Sequence, residues 1–257
     1  MALTRRLVRP FARGARLALR RLGYDVVPAD ALTSRIDVRA HWIAALGIDL
    51  VVDVGANDGR FVRWMRDKGY AGRIVSFEPQ ASAFAECRRA CAGDSRWRGF
   101  QMALGERPGA MEIQVAGNSL SSSLLPMLQS HVEALPESAV VTTERVEVAR
   151  LDATLAPMLD GASRLYAKID TQGFELPVLR GATAVLGRIA LLELELSLVP
   201  LYAGQELMPE VVAEVARLGF TPIWIEQGFS DPRAVRMLQV DGIFVRNDLL
   251  PGTQAAS

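Results

Sequence analysis

Histidine, cysteine and lysine each occur only twice in this chain of 257 residues. Two histidines, His41 and His131, are too few to build a structural zinc site. Cys87 and Cys91 are too few for a disulfide framework, and they stand four residues apart in a segment that reads as helix. This use of cysteine points to a reducing, cytoplasmic setting. Aromatic residues make up 7% of the chain, which argues against an aromatic-rich β-sandwich or carbohydrate-binding module. With lysine confined to Lys68 and Lys168, arginine is the ordinary cation. What is present is apolar. Half the residues are hydrophobic and 23% are charged, so the chain buries a proper core, and its length suits one α/β domain with a short appendage.

The formal net charge of zero conceals an asymmetry. The first 21 residues hold seven arginines and no acid, so residues 22–257 carry a balancing −7. An acidic body excludes generic nucleic-acid binding. Leu3, Leu7, Val8, Phe11, Leu17 and Leu19 interleave with the arginines, as in an amphipathic helix interrupted near Pro10. Such a helix suits peripheral contact with an anionic membrane surface at the inner face, and it lacks the long apolar run of a signal peptide or spanning helix. The expected organisation is a basic arm over 1–40, a catalytic domain over 41–250 and a disordered small-residue tail over 251–257.

Along the body, short apolar runs alternate with helical patterns. Strands are expected at Asp49–Val54, Arg73–Phe77, Phe100–Leu104, Leu165–Ile169, Ile189–Leu196, Thr221–Ile225 and Met237–Val245. Helices fall between most of them, including one over Leu176–Leu186, and an irregular insert follows the third strand. This alternation predicts a doubly wound, mostly parallel sheet. The last two strands are separated only by Glu226–Arg236, too short for a parallel crossover with its helix, so they pair antiparallel.

The sharpest local pattern is Val51-Val52-Asp53-Val54-Gly55-Ala56-Asn57-Asp58-Gly59. A strand runs into a glycine turn and then a helix. A dinucleotide fingerprint would need glycine at 57 and 60, where the chain has Asn57 and Arg60, so a nicotinamide oxidoreductase is disfavoured. The acid-x-Gly-x-x-x-Gly spacing suits S-adenosylmethionine instead, with Asp53 facing its cationic amino group and Gly55, Asn57 and Gly59 shaping the loop. Glu78, 25 positions beyond Asp53 at the end of the second strand, suits a ribose diol.

These residues resemble the FkbM-type methyltransferase family, which uses S-adenosyl-L-methionine. Asp53–Gly59 resembles its first motif and Ser76-Phe77-Glu78-Pro79 its second-strand motif. Ala103-Leu104-Gly105 sits where that family has its adenine-side turn. Lys168-Ile169-Asp170-Thr171-Gln172-Gly173-Phe174-Glu175 and Val178-Leu179-Arg180-Gly181-Ala182 resemble its most diagnostic stretch. The likeness runs from about Ile48 to Arg246. It implies a Rossmann-like class I methyltransferase fold, a seven-stranded mostly parallel sheet with an antiparallel last strand. It also implies O-methyl transfer to a hydroxyl of a sugar, glycolipid or polyketide-type acceptor.

An alcohol is a poor nucleophile at neutral pH, so a general base or a divalent metal is expected. Asp170, at the carboxyl end of the fourth strand, is the candidate base, with His131 in the insert as a second. Glu175 and the hydroxyls of Ser121 and Ser122 are candidate acceptor contacts, and Ala103 and Leu104 candidate cofactor contacts. Lys168, inside an apolar strand, requires a carboxylate partner, for which Glu193 and Glu195 are the candidates. A non-catalytic module of the same fold, docked by its basic arm, is the remaining alternative.

Overall fold

The structure is a computed structural model that describes residues 37–159, 163–231 and 233–250. The chain divides into two units, Met1–His41 and Trp42–Ser257. The arginine-rich segment and the small-residue tail lie outside the described residues. Helix α1 covers Val38–Leu46. The elements that follow are β1 (Leu50–Val54), α2 (Arg60–Asp67), β2 (Arg73–Phe77), α3 (Ala81–Ala90), β3 (Trp97–Phe100) and β4 (Ala103–Leu104). Next come β5 (Gly109–Ala116), α4 (Gln129–Ala134), β6 (Val140–Ala149), α5 (Leu151–Leu155), β7 (Leu165–Ile169) and α6 (Glu175–Arg180). The chain continues through β8 (Ile189–Ser197), α7 (Met208–Arg217), β9 (Phe220–Gln227), β10 (Ser230–Asp231), β11 (Arg236–Met237) and β12 (Gln239–Arg246).

Seven strands form the main sheet in the order β3-β2-β1-β7-β8-β12-β9. The first five are parallel, and β12 runs antiparallel to both β8 and β9. Between β9 and β12 there is room only for the small β10–β11 hairpin, and a connection that short forces antiparallel pairing. The inner strands are near-continuous apolar runs, as expected where helices cover both faces. Every residue of β1 is buried, and eight of nine in β8. The core gathers Val52, Val54, Phe77, Ile169, Leu176 and Leu194 around this sheet.

Register decides where chemistry can occur. Val54 pairs with Phe77 on one side and with Ile169 on the other. The residues that follow, Gly55, Glu78 and Asp170, therefore leave the sheet together at its carboxyl edge. The chain departs from β1 in opposite directions to β2 and β7, which makes this edge the crevice where open α/β sheets bind ligands.

Three sequence expectations need correction. The third strand does not run from Phe100 to Leu104. It ends at Phe100, and Ala103–Leu104 joins a second sheet of order β4-β6-β5. The long β6 lies within the segment that reads as an irregular insert, because Val140–Thr143 is exposed and carries no buried alternation. The expected helix Leu176–Leu186 stops at Arg180, where Gly181 packs too closely on the carbonyl of Gly105 to accept a Cβ.

Candidate active site

A cavity of about 510 Å³ opens at this carboxyl edge. One wall is built by the strand ends, with Gly55, Asn57, Glu78, Met102, Ala103 and Leu104. The turn Ser119–Leu124, His131 on α4, and Glu195, Phe229 and Gln239 also line the cavity, with Ser119 bonded to Asn57. Asp170, Thr171, Gln172 and Phe174, just after β7, complete the lining. The volume falls within the range of small-molecule sites.

Gly55 turns the chain off β1 with φ +84°, and a Cβ there would lie 1.8 Å from the carbonyl oxygen of Asp170. The glycine is thus required both by its left-handed backbone and by the closeness of β7. Asn57, also left-handed at φ 46°, donates its backbone N–H to Glu78 Oε2 at 2.8 Å. Its side-chain Oδ1 accepts from the Asp58 N–H at 2.8 Å and from Ser119 Oγ at 3.2 Å. Glu78 Oε1 accepts from the Gln80 N–H at 2.9 Å. Burial pushes the Glu78 carboxyl up to about 7, although those two backbone donors oppose the shift. Ala103 and Leu104 are buried and form an apolar floor beside Glu78.

Three expected contacts are absent from the cavity wall. Asp53 is fully buried within the sheet, where its Oδ2 accepts from Ser76 Oγ at 3.1 Å. The pleat turns its side chain away from the edge, and the cation it faces is Lys168, its register partner on β7. Burial lifts its carboxyl to about 6, with Lys168 pulling the other way. Gly59, with φ +77°, faces α3: a Cβ there would lie 3.1 Å from Cys87 Sγ. Its bare α-carbon lets the start of α2 pack closely on α3. Glu175 folds back on its own loop, where Oε1 accepts from the Thr171 N–H at 2.9 Å, Thr171 Oγ1 at 3.1 Å and the Gly173 N–H at 3.1 Å. A carboxylate at a helix start binds the free N–H groups before it, which leaves this one shaping the loop.

Lys168 pairs with Asp170 and not through a hydrogen bond with Glu193 or Glu195: its Nζ lies 2.9 Å from Asp170 Oδ2. Two residues apart on an extended chain, the pair shares one face. Burial alone would lower the Lys168 ammonium, but Asp170, Asp53 and Glu193 around it raise it above its usual value. Glu193 accepts a hydrogen bond from the Tyr166 hydroxyl. Asp170 Oδ1 accepts from Gln172 Nε2 at 3.1 Å. Its side chain keeps 34% exposure, unlike the wholly buried Asp53. Asp170 is therefore a charged, oriented carboxylate that reaches the cavity.

His131 is buried against Tyr202 and Phe229, with ring centroids 5.2 and 5.5 Å away. Burial lowers its imidazole to about 4, which makes it a weak proton acceptor at neutral pH. Ser121 and Ser122 reach the cavity wall, but the Ser121 carbonyl accepts from the Tyr202 hydroxyl at 2.9 Å, and Ser122 Oγ accepts from the Ala116 N–H at 3.1 Å. Phe229 and Gln239 are on the wall without any local sequence signal, because they arrive from beyond the last helix. Gln172 carried a signal, its place in the Lys168–Glu175 motif. Among the described residues, no three His, Cys, Asp or Glu side chains group in a way that could hold a metal ion.

The profile of the methyltransferase FkbM domain matches residues 53–222. The chain belongs to the FkbM methyltransferase family. Among curated proteins, the 2-O-methyltransferase NoeI of Sinorhizobium fredii is 27% identical over 184 residues, covering 65% of this chain and 75% of NoeI. Among solved structures, an rRNA methylase from Streptococcus thermophilus covers 84% of this chain and 99% of its own, at 13% identity and a TM-score of 0.45. Magnesium protoporphyrin IX methyltransferase from Synechocystis PCC 6803, solved with bound S-adenosylmethionine, covers 82% of this chain and 77% of its own, at 11% identity and a TM-score of 0.45. This FkbM protein has the class I methyltransferase fold and is an S-adenosylmethionine-dependent methyltransferase, not a nicotinamide enzyme. Its residues suit that cofactor: the left-handed turn at Gly55 after β1 and the Glu78 carboxyl at the end of β2 both line a cavity of adequate size.

Proposed function

We propose that this FkbM methyltransferase transfers the methyl group to a hydroxyl oxygen of a sugar-bearing acceptor, such as a glycan or glycolipid. The observation that carries the reading is the Asp170 carboxylate. It is oriented by Lys168 and Gln172 at the edge where β1 turns off, and it faces a cavity wall rich in serine and amide groups. The relative named as a 2-O-methyltransferase supports oxygen as the acceptor atom.

Gly55 and Asn57 would hold the amino-acid part of S-adenosylmethionine, Glu78 the ribose hydroxyls, and Ala103 and Leu104 the adenine. When bound, the cofactor supplies a methyl group on a sulfonium for in-line displacement. Asp170 aligns the acceptor hydroxyl and accepts its proton as the oxygen becomes methylated. His131 closes the pocket as a neutral wall. The test is incubation with radiolabelled S-adenosylmethionine and a panel of methyl glycosides and non-sugar alcohols. Label in a base-stable ether of a glycoside is expected. Transfer only to nitrogen, or only to non-sugar alcohols, would refute the reading.

Cofactor affinity should depend on pH through Glu78. Its carboxyl sits near 7 in the free protein, and the ionised form accepts the ribose hydroxyls. Binding therefore weakens as pH falls through about 7. Calorimetry should give S-adenosylhomocysteine a Kd about tenfold higher near pH 6 than near pH 8, as for linkage to one proton. Glu78→Ala should weaken binding by roughly 1.5–3 kcal/mol at the higher pH and flatten the profile. An unchanged affinity in that variant removes Glu78 from the cofactor site.

The arginine-rich segment is proposed to hold the enzyme reversibly at an anionic membrane surface on the cytoplasmic side, where each arginine contributes up to about 1 kcal/mol. The supporting observation is seven arginines and no acid in 21 residues. The full chain should sediment with anionic vesicles and not neutral ones, and a chain starting near Tyr24 should stay in solution with both. Equal partitioning of the two would count against any membrane role.

A further inference from the structure

A row of hydrogen-bonded side chains, Asp170, Gln172, Glu195 and Gln239, runs along the lining of the cavity. The amide of Gln172 is the junction. Its Nε2 donates to Asp170 Oδ1 at 3.1 Å and to Glu195 Oε2 at 2.6 Å. Its Oε1 lies 2.9 Å from the Tyr202 hydroxyl, whose single proton is shared with the Ser121 carbonyl, and it is the two carboxyl oxygens of Asp170 and Glu195 that orient Nε2 toward them. Gln172 is itself buried, left-handed at φ 56°, and tied to the serine turn by Ser123 Oγ, which donates to its carbonyl at 2.7 Å. A second amide, Gln239 Nε2, also donates to Glu195 Oε2, at 2.7 Å. One oxygen of Glu195 is thus saturated by two donors. The other, Oε1, has no hydrogen-bond partner among the described residues, and the side chain lines the cavity. His131, 1% exposed, lines the same cavity, and its Nδ1 is buried without a partner. Among the described residues of the wall there is no lysine or arginine.

We infer that Glu195 is a specificity-determining residue: joined to Asp170 through Gln172, it engages the oxygen next to the hydroxyl that is methylated, so that the site takes an uncharged vicinal polyol and rejects acceptors bearing phosphate or carboxylate there. The inference rests on O-methyl transfer with Asp170 at the reacting hydroxyl. A single amide nitrogen touches both carboxyl groups, Asp170 Oδ1 at 3.1 Å and Glu195 Oε2 at 2.6 Å, so the two groups are neighbours on the wall and within reach of two adjacent oxygens of one acceptor. The two groups also differ in character. Asp170, paired with Lys168, is a hydrogen-bond acceptor. Burial first, and then the charges of Asp170, Glu175 and Asp241, hold the Glu195 carboxyl well above the usual range. With Oε2 accepting two amides, Oε1 is the oxygen left to meet an acceptor, and the raised carboxyl favours the form in which it donates. A donor beside an acceptor complements a hydroxyl that donates to Asp170 next to an oxygen that accepts from Glu195. An anionic group placed there would be desolvated with no cation on the described wall to meet it.

The experiment is saturation-transfer NMR on the protein loaded with S-adenosylhomocysteine. The probes are neutral methyl hexopyranosides, the corresponding 6-phosphates and uronates, and monodeoxy derivatives. Neutral glycosides should bind, the anionic counterparts should be at least about tenfold weaker, and one deoxy position beside the best hydroxyl should lose a similar factor. Glu195→Gln, which keeps an acceptor oxygen and presents N–H where the carboxyl presented O–H, should retain binding within about threefold. Glu195→Leu should lose about tenfold or more and no longer distinguish the deoxy probe. Calorimetry with S-adenosylhomocysteine must show the same cofactor affinity in all three proteins, which separates a lost contact from a damaged fold. Equal binding of anionic and neutral probes, no binding of any neutral glycoside, or wild-type behaviour of Glu195→Leu would each overturn the inference. Failure of O-methyl transfer is distinguishable: glycosides that bind with this pattern yet accept no methyl group would leave the subsite standing and refute the proposed reaction.

Discussion

Gly55→Ala should abolish measurable binding of S-adenosylhomocysteine and destabilise the fold by more than about 3 kcal/mol. Two effects combine at this position. The backbone is left-handed at φ +84°, which costs a non-glycine residue on the order of 1 kcal/mol. The new methyl carbon would also sit 1.8 Å from the Asp170 carbonyl oxygen, and that obstacle is backbone held at the end of a central strand. It cannot rotate aside. Either the turn or the end of β7 must move, and both carry residues of the cavity wall. Gly69→Ala is the control. Gly69 has φ +85° with nothing within 4 Å of a built Cβ, so it reports the backbone strain alone. Denaturant titration should give a small loss for Gly69→Ala and a severalfold larger one for Gly55→Ala. If the two losses are equal, the close approach of β1 and β7 is not what makes glycine necessary.

Asp170→Asn should lower kcat by about 10²–10⁴, the usual contribution of a positioned general base, and leave cofactor affinity unchanged within about threefold. The amide has nearly the same shape, so Gln172 and the turn at Gly55 remain in place. It loses the charge that pairs with Lys168 and the capacity to accept a proton from the acceptor hydroxyl. Lys168 keeps Asp53 and Glu193 nearby, so the variant is expected to fold. The decisive comparison is single-turnover transfer to a glycoside acceptor beside calorimetry of S-adenosylhomocysteine. Wild-type turnover in Asp170→Asn would reduce the residue to a structural partner of Lys168. Loss of cofactor binding in parallel with turnover would place it at the cofactor instead of the acceptor.

Much of this architecture is legible in one dimension because it is governed by local chemistry. Buried parallel strands must be continuous apolar runs, so β1, β2, β7 and β8 stand out as DLVVDV, RIVSF, LYAKI and the run after Ile189. Gly55 and Glu78 are readable because a turn off a strand and an acid after the next strand occupy fixed positions relative to the sheet edge. The antiparallel pairing of β9 and β12 follows from a connection too short to cross over.

Tertiary structure decided what each polar side chain faces. Asp53 and Asp170 both carry a carboxylate near a strand end, yet Asp53 is sealed inside the sheet and Asp170 reaches the cavity. The difference is strand pleat and sheet register, which place Asp53 level with Ser76 and Lys168 while Asp170 lies one residue past the edge. Lys168 announced that it needed an acid, but only the folded chain shows that the hydrogen-bonded acid is Asp170. In the sequence Glu175 reads as a candidate acceptor contact and Glu195 as a candidate partner of Lys168, and the fold places both otherwise. Loop closure turns one back onto the N–H groups of Thr171 and Gly173, and Gln172 and Gln239 hold the other at the cavity wall. Those amides come from separate segments, Gln172 just after β7 and Gln239 at the start of β12. Fold class and the glycine turn were thus determined by the sequence alone, since periodicity and turn chemistry act between near neighbours. The row Asp170–Gln172–Glu195–Gln239 exists only once distant strands are brought side by side, because hydrogen-bond partners and burial depend on distances in space that no spacing along the chain encodes.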